Sequence, residues 1–204
     1  MVYSVSSPTS RAEAQAETRR LLKEAGRSLL LDAGYPATSV AAIADAAGFT
    51  TGAFYSNFGS KAALTLEVLA DLQAEVQEEV NGLMSSPIGA DTVDALQAWS
   101  NRVLDSGWPR LELEFALAIR DDENLVSVEG DRNRAAVGGI GAIIAQQLPL
   151  PADGPISADS VAEMIVNLAF GIAVRRVIDP RVNADSLFAA IRLLLPGGDD
   201  TAAG

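Results

Sequence analysis

The side chains best suited to polar chemistry in this chain crowd into one stretch, Thr38 to Lys61, which reads TSVAAIADAAGFTTGAFYSNFGSK. It carries hydroxyls at Thr38, Ser39, Thr50, Thr51, Ser56 and Ser60, a phenol at Tyr55, a carboxamide at Asn57 and an ammonium at Lys61. These are hydrogen-bonding groups interleaved with Ala, Gly and Phe. The chain has neither Cys nor His, which removes disulfides, thiolate metal sites, Cys nucleophiles, the commonest general base and the commonest transition-metal ligand. A metal site would have to be all-oxygen, and no acidic loop has EF-hand spacing. No metal and no cofactor are expected.

Other clusters carry less. Gly139-Ile140-Gly141 suggests a nucleotide loop only superficially, because Ile144 stands at the third glycine position and no strand precedes it; small residues at a helix crossing explain it better. Glu112 with Glu114 reads as a solvated helix face, and Asp121-Asp122-Glu123 as a helix boundary. An enzyme is therefore the weakest reading.

The periodicity is helical throughout. From about Ala12, Leu21, Leu22, Ala25, Leu29, Leu30 and Ala33 mark one apolar face, and Gly34 ends the helix as a residue free to enter the left-handed region. Thr38 or Ser39 caps a short second helix with Val40, Ile43, Ala44 and Ala47 on one face. Thr50 starts a third that runs to about Ser56, and Asn57-Phe58-Gly59 breaks the chain. Ser60 caps a long fourth helix whose stripe is Leu64, Leu69, Leu72, Val76 and Val80. Further helices fit near 91–106, 109–120, 123–147, 157–178 and 184–195, with Pro149, Pro151 and Gly154-Pro155 between the third and fourth of these. No segment alternates long enough to be a convincing strand. Residues 1–10 read as a flexible arm and 197–204 as a frayed tail.

Two short helices joined around Gly48 on a support helix have helix-turn-helix geometry. Small Ala44 and Ala47 let them approach, Phe54 and Phe58 anchor the second, and its polar residues face outward toward a major groove. Here the chain closely resembles the TetR family of transcriptional regulators. The resemblance runs from about Arg19 through Leu64 and includes Gly34, Thr38-Ser39, Ile43-Ala44, Ala47-Gly48, Gly52, Phe54-Tyr55, Phe58 and Lys61-x-x-Leu64. It implies an all-α protein with an N-terminal three-helix helix-turn-helix DNA-binding domain and a helical C-terminal domain for ligand binding and dimerisation.

The resemblance also implies roles. Thr38 and Ser39 would hydrogen-bond phosphates, and Thr50, Thr51 and Gly52 would meet bases and backbone at the start of the reading helix. Tyr55 and Lys61 would each take a phosphate, with Arg19, Arg20 and Lys23 adding attraction at the edge. The chain departs from the family at Thr51, where many relatives carry Lys or Arg, and at Leu30, where a Phe is usual. With no Arg, Asn or Gln within 50–56, bidentate base recognition is missing there. Specificity would lean on Thr contacts, Asn57, the N-terminal arm, water and DNA shape.

Charge divides the chain. Its net charge is −12. Residues 1–61 hold six basic and five acidic groups, a net +1; the remainder holds nine basic and 22 acidic, a net −13. That asymmetry suggests two functional parts, and the resemblance implies that 1–60 serve DNA binding and 61–196 effector binding and dimerisation. Residues 157–178 and 184–195 are the expected homodimer interface. Small Ala169, Gly171 and Ala173 lie on the first, and Leu187, Ala190, Ile191 and Leu194 stripe the second. Trp99, Val103, Trp108, Phe115, Ile119, Met164 and Phe170 are the candidate lining of a pocket for a small, mainly hydrophobic effector. Family resemblance makes a repressor on a pseudo-palindromic operator the expected role, with a protein-interaction module on a helix-turn-helix scaffold as the alternative. No secretory signal is visible, and the apolar run Val161 to Val174 is broken by Glu163 and Asn167, so a cytoplasmic protein with no membrane partner is expected.

Overall fold

The computed structural model describes residues 11–147 and 155–194. The expected arm at 1–10 and tail at 197–204 lie outside these residues, as do Pro149 and Pro151. Nine α-helices and no strand occur among the described residues: α1 (Arg11–Ala33), α2 (Val40–Ala46), α3 (Thr51–Phe58), α4 (Lys61–Leu83), α5 (Ala90–Asp105), α6 (Trp108–Ile119), α7 (Glu123–Gln147), α8 (Ala158–Ile178) and α9 (Asp185–Leu194). The chain divides into two compact units, Met1–Val68 and Leu69–Gly204, with α4 beginning in the first and continuing in the second.

In the first unit Leu22, Gly26 and Leu30 form the buried stripe of α1. They join Ile43, Ala44, Phe54, Phe58, Leu64 and Val68 as the unit's buried apolar residues. Leu30 is fully buried, an aliphatic side chain at the position where the resemblance led to an expected Phe. A β-carbon on Gly26 would stand 2.7 Å from Leu64 Cδ2, which brings α1 and α4 unusually close. Gly48 turns the chain between α2 and α3 at φ 75° with no side-chain crowding. Its N–H donates to Asp45 O (2.9 Å), and the Phe49 N–H donates to Ala44 O (2.8 Å). This is the pair of bonds by which a left-handed residue closes a helix, and it sets the angle between the two short helices.

In the second unit α7 lies along α8, and α6 packs against α5, α7 and α8. Gly139 and Gly141 sit inside α7. A β-carbon on the first would meet Gln77 Oε1 and one on the second Asp159 Oδ1, each at 2.5 Å, so both glycines serve helix crossings. Helix α9 packs on α5 through Ala184, Phe188 and Val93, flanked by Ile88, Leu96, Leu104 and Ile191. The inward stripe is thus Ala184, just before α9, with Phe188 and Ile191 on it, while Leu187 is half-buried and Ala190 exposed. Phe188, absent from the expected stripe, is its largest anchor.

One expectation is corrected. Glu112 is not on a solvated face: its side chain is 13% exposed and pairs with Arg132, itself 11% exposed. Arg132 Nε also donates to Glu129 Oε2 (3.0 Å) and its Nη1 to Gln73 Oε1 (2.8 Å). Asp122 behaves as expected of a boundary residue, its carboxylate accepting from the N–H groups of Asn124 and Leu125, both at 3.1 Å.

Candidate nucleic-acid interface

Helix α3 is built to show one face. Thr50 caps it, Oγ1 accepting from the Ala53 N–H at 3.2 Å. Phe54 and Phe58, one helical turn apart and with ring centroids 5.6 Å from each other, are buried beneath it. The opposite face carries Thr51, Gly52, Tyr55 and Ser56, all exposed. Their spacing of one and four residues places them side by side. The Tyr55 ring stands edge-on to Phe54, and Tyr55 is 54% exposed, so it is supported from below and open above. A β-carbon at Gly52 would meet only Thr50 Oγ1, at 3.6 Å. The fold tolerates a side chain there, although glycine costs about 1 kcal/mol in a helix. Ser39 caps α2, accepting from the Ala42 N–H at 3.0 Å, and is also exposed.

The other predicted residues turn inward. Thr38 is buried, its hydroxyl 2.7 Å from Gly34 O and 3.2 Å from Leu29 O, so it ties the end of α1 to the start of α2 while Ser39 alone caps. Asn57 folds back on its own helix, Nδ2 donating to Ala53 O at 2.8 Å. Lys61 Nζ donates to Tyr35 O (2.7 Å) and Thr38 O (2.8 Å) and lies 3.9 Å from the Tyr35 ring centroid. Burial pulls the Lys61 pKa below the ordinary lysine value. Of the eight predicted residues, Ser39, Thr50, Thr51, Gly52 and Tyr55 therefore share the exposed surface, and Thr38, Asn57 and Lys61 brace it.

The edge cations are also engaged. Arg20 lies between Glu17 and Glu24, donating to them at 2.7 and 2.9 Å. Arg19 donates to Asn57 O and to Glu67, with its guanidinium carbon 4.1 Å from the Phe58 ring centroid. That role was missed from sequence because its partners lie 38 and 48 residues away.

The seven pocket candidates lie in the second unit and differ in burial. Phe115 and Ile119 are buried core, Met164 is exposed, and Trp99, Val103, Trp108 and Phe170 are half-buried. An open groove of about 400 Å³ is lined by Glu79, Gly82, Leu83, Trp99 and Arg102, so it takes Trp99 from that set. The indole N–H groups of Trp99 and Trp108 are buried without a hydrogen-bond partner. Among the described residues no group of His, Cys, Asp or Glu is arranged to hold a metal ion, and no helix is long and apolar enough to cross a membrane.

Comparison with known proteins agrees with this architecture. Residues 22–68 match the sequence model of the bacterial regulatory proteins of the tetR family. No curated protein matches the chain. Among solved structures the chain is similar to NemR of E. coli in its reduced form, at 19% identity over 88% of this chain and 98% of that one, TM-score 0.63. It is similar to the multidrug binding protein EbrR complexed with imidazole, at 19% identity over 94% and 98%, TM-score 0.63. It is also similar to the fatty acid degradation regulator FadR of Bacillus halodurans, at 16% identity over 88% and 95%, TM-score 0.60. These likenesses extend the fold beyond the matched segment. The match to the tetR-family model is thus confined to the helix-turn-helix segment at 22–68, and the all-helical fold around it is the one these solved regulators share.

Proposed function

We propose that this protein is a ligand-responsive transcriptional repressor that holds operator DNA through α2 and α3 and works as a homodimer. The observation that carries the reading is the exposed face of α3. Thr51, Gly52, Tyr55 and Ser56 stand outward on a helix whose other side is anchored by two buried phenylalanines. A smooth, hydroxyl-bearing face one helix wide suits a major groove, and glycine at 52 lets the DNA backbone approach closely. Contacts of this kind are short and uncharged, so specificity comes from hydroxyl and methyl contacts and from DNA shape.

Dimerisation would use α8. Met164, Leu168, Gly171, Arg175 and Ile178 recur at spacings of four and three and are all exposed. Nothing crowds the space over Gly171, so a partner helix can approach there. The effector would be a small, mainly apolar molecule held in the second unit, a reading in keeping with the multidrug and fatty-acid roles named for EbrR and FadR. An effector releases DNA only if it binds the non-operator conformation more tightly. Helix α4, which carries Lys61 at its start and continues into the second unit, is the covalent route for that coupling.

The test is binding to the protein's own upstream intergenic DNA over a salt series, with Tyr55→Phe alongside. Specific, salt-sensitive binding is expected, weakened about fivefold in the variant by loss of one hydrogen bond. Because tyrosine is uncharged, the salt slope should not change. No specific binding to this DNA or to any genomically selected sequence would favour a protein-interaction module instead.

A further inference from the structure

One side chain joins three helices of the first unit. The last carbonyls of any helix lack partners within it, and the helix dipole leaves them negative. At the end of α3, the Asn57 carbonyl accepts a hydrogen bond from Arg19 Nη1, so a guanidinium on α1 closes that end. The same guanidinium lies over the ring of Phe58, with 4.1 Å between its central carbon and the ring centroid. Its other arm donates to Glu67 on α4. A planar fork can stack on an aromatic face and donate from two edges at once, which a lysine ammonium cannot do.

We propose that Arg19 is a positioning residue for operator binding, a strut that seats α3 against α1 and α4 and does not itself touch DNA. The reading face makes such a strut necessary. Helix α3 has eight residues, about 12 Å of rise, so a small tilt at Asn57 carries directly to Thr51 and Gly52. Thr, Ser and Tyr side chains of fixed reach cannot follow the DNA as a long Arg or Lys would. A site built from them needs placement to within about 0.5 Å. Glu67 has a part in this that its charge alone contradicts: an acidic group in a DNA-binding unit opposes DNA, yet here it holds the strut.

The inference rests on the operator-binding role proposed above, and the experiment separates the two. Wild type, Arg19→Gln and Glu67→Gln are compared for binding to operator duplex and to unrelated duplex at several salt concentrations. Amide hydrogen exchange is followed at residues 55–59, and circular dichroism establishes that each variant is folded. The strut predicts that both variants lose about tenfold in operator affinity, as expected for a hydrogen bond to a charged group. Their binding to unrelated DNA and its salt slope stay near wild type, and exchange at 55–59 accelerates in both. Glu67→Gln is decisive because it removes a negative charge: a merely electrostatic Glu67 predicts tighter binding, the strut weaker. Operator binding by Glu67→Gln equal to or tighter than wild type, with unchanged exchange, overturns the proposal. So does Arg19→Gln lowering the salt slope by about 0.9 on both DNAs, the mark of a lost phosphate contact. If wild type itself finds no operator, the DNA-binding reading fails and the positioning role with it, while the exchange data still report whether the tie exists.

Discussion

Burial and charge pull Glu112 in opposite directions, and burial wins. Desolvation raises its carboxyl above the usual range despite the neighbouring Arg132, which favours the ionised form. For Arg132 burial works against the cation, but its hydrogen bond to Glu129 and the charges of both carboxylates outweigh it and keep the guanidinium charged. The acid therefore bears the cost of this cluster. A carboxyl with a folded-state pKa above its unfolded value stabilises the fold most below the unfolded value, and that contribution is lost as pH rises through the folded one. Glu112→Gln keeps the shape and an acceptor for Arg132 but cannot ionise. Chemical denaturation at fixed protein concentration from pH 4 to pH 8 should show wild type losing stability relative to Glu112→Gln as pH rises. A stability difference independent of pH would mean that Glu112 ionises normally.

Helix ends decide where α3 lies, and they are open to a direct test. Thr50→Ala removes the hydroxyl that accepts from Ala53 N–H. Loss of such a cap costs about 1 kcal/mol, which should appear as a lowered midpoint in urea with an unchanged slope. A midpoint equal to wild type would show that solvent replaces the cap without loss. These ends were also what the sequence displayed best. Gly34, Gly48 and Gly59 do adopt positive φ, Ser39, Thr50 and Ser60 do accept from the N–H three residues on, and α5 to α9 begin and end within a residue or so of their periodicity. Local rules govern those features, so a linear reading finds them. Which face of each residue looks outward is set by distant partners, and there the sequence was less informative. Thr38 and Lys61 resemble their exposed neighbours in type, yet both are held by the turn around Tyr35 and Gly34. The apolar run of α8 was legible, whereas Phe188 facing α5 was not, because Leu187 and Phe188 are equally apolar and only the packing of α9 on α5 separates them.

At the scale of the whole molecule, charge and apolar surface make opposite demands. Each chain carries a net −12, so two copies repel one another at long range, and an association that survives must bury apolar area. The exposed stripe of α8 offers it, with Leu168 near its middle and Ile178 at its end still 79% exposed. Operator binding runs on the opposite sign, since cations that meet phosphates release counterions and weaken with salt. Raising salt should therefore tighten the dimer, by screening like charges, over the same range in which it loosens the DNA complex. Sedimentation equilibrium between 50 and 500 mM salt measures the first effect and operator titration the second. Leu168→Glu places a carboxylate in the middle of the proposed contact. It should weaken dimerisation by at least about tenfold, the cost of burying an unpaired charge, and operator affinity should fall with it because a pseudo-palindromic site needs both reading heads. A Leu168→Glu protein that still dimerises like wild type would move the interface away from α8, and a dimer that loosens with salt would mean that ion pairs, not the apolar stripe, hold the two copies together.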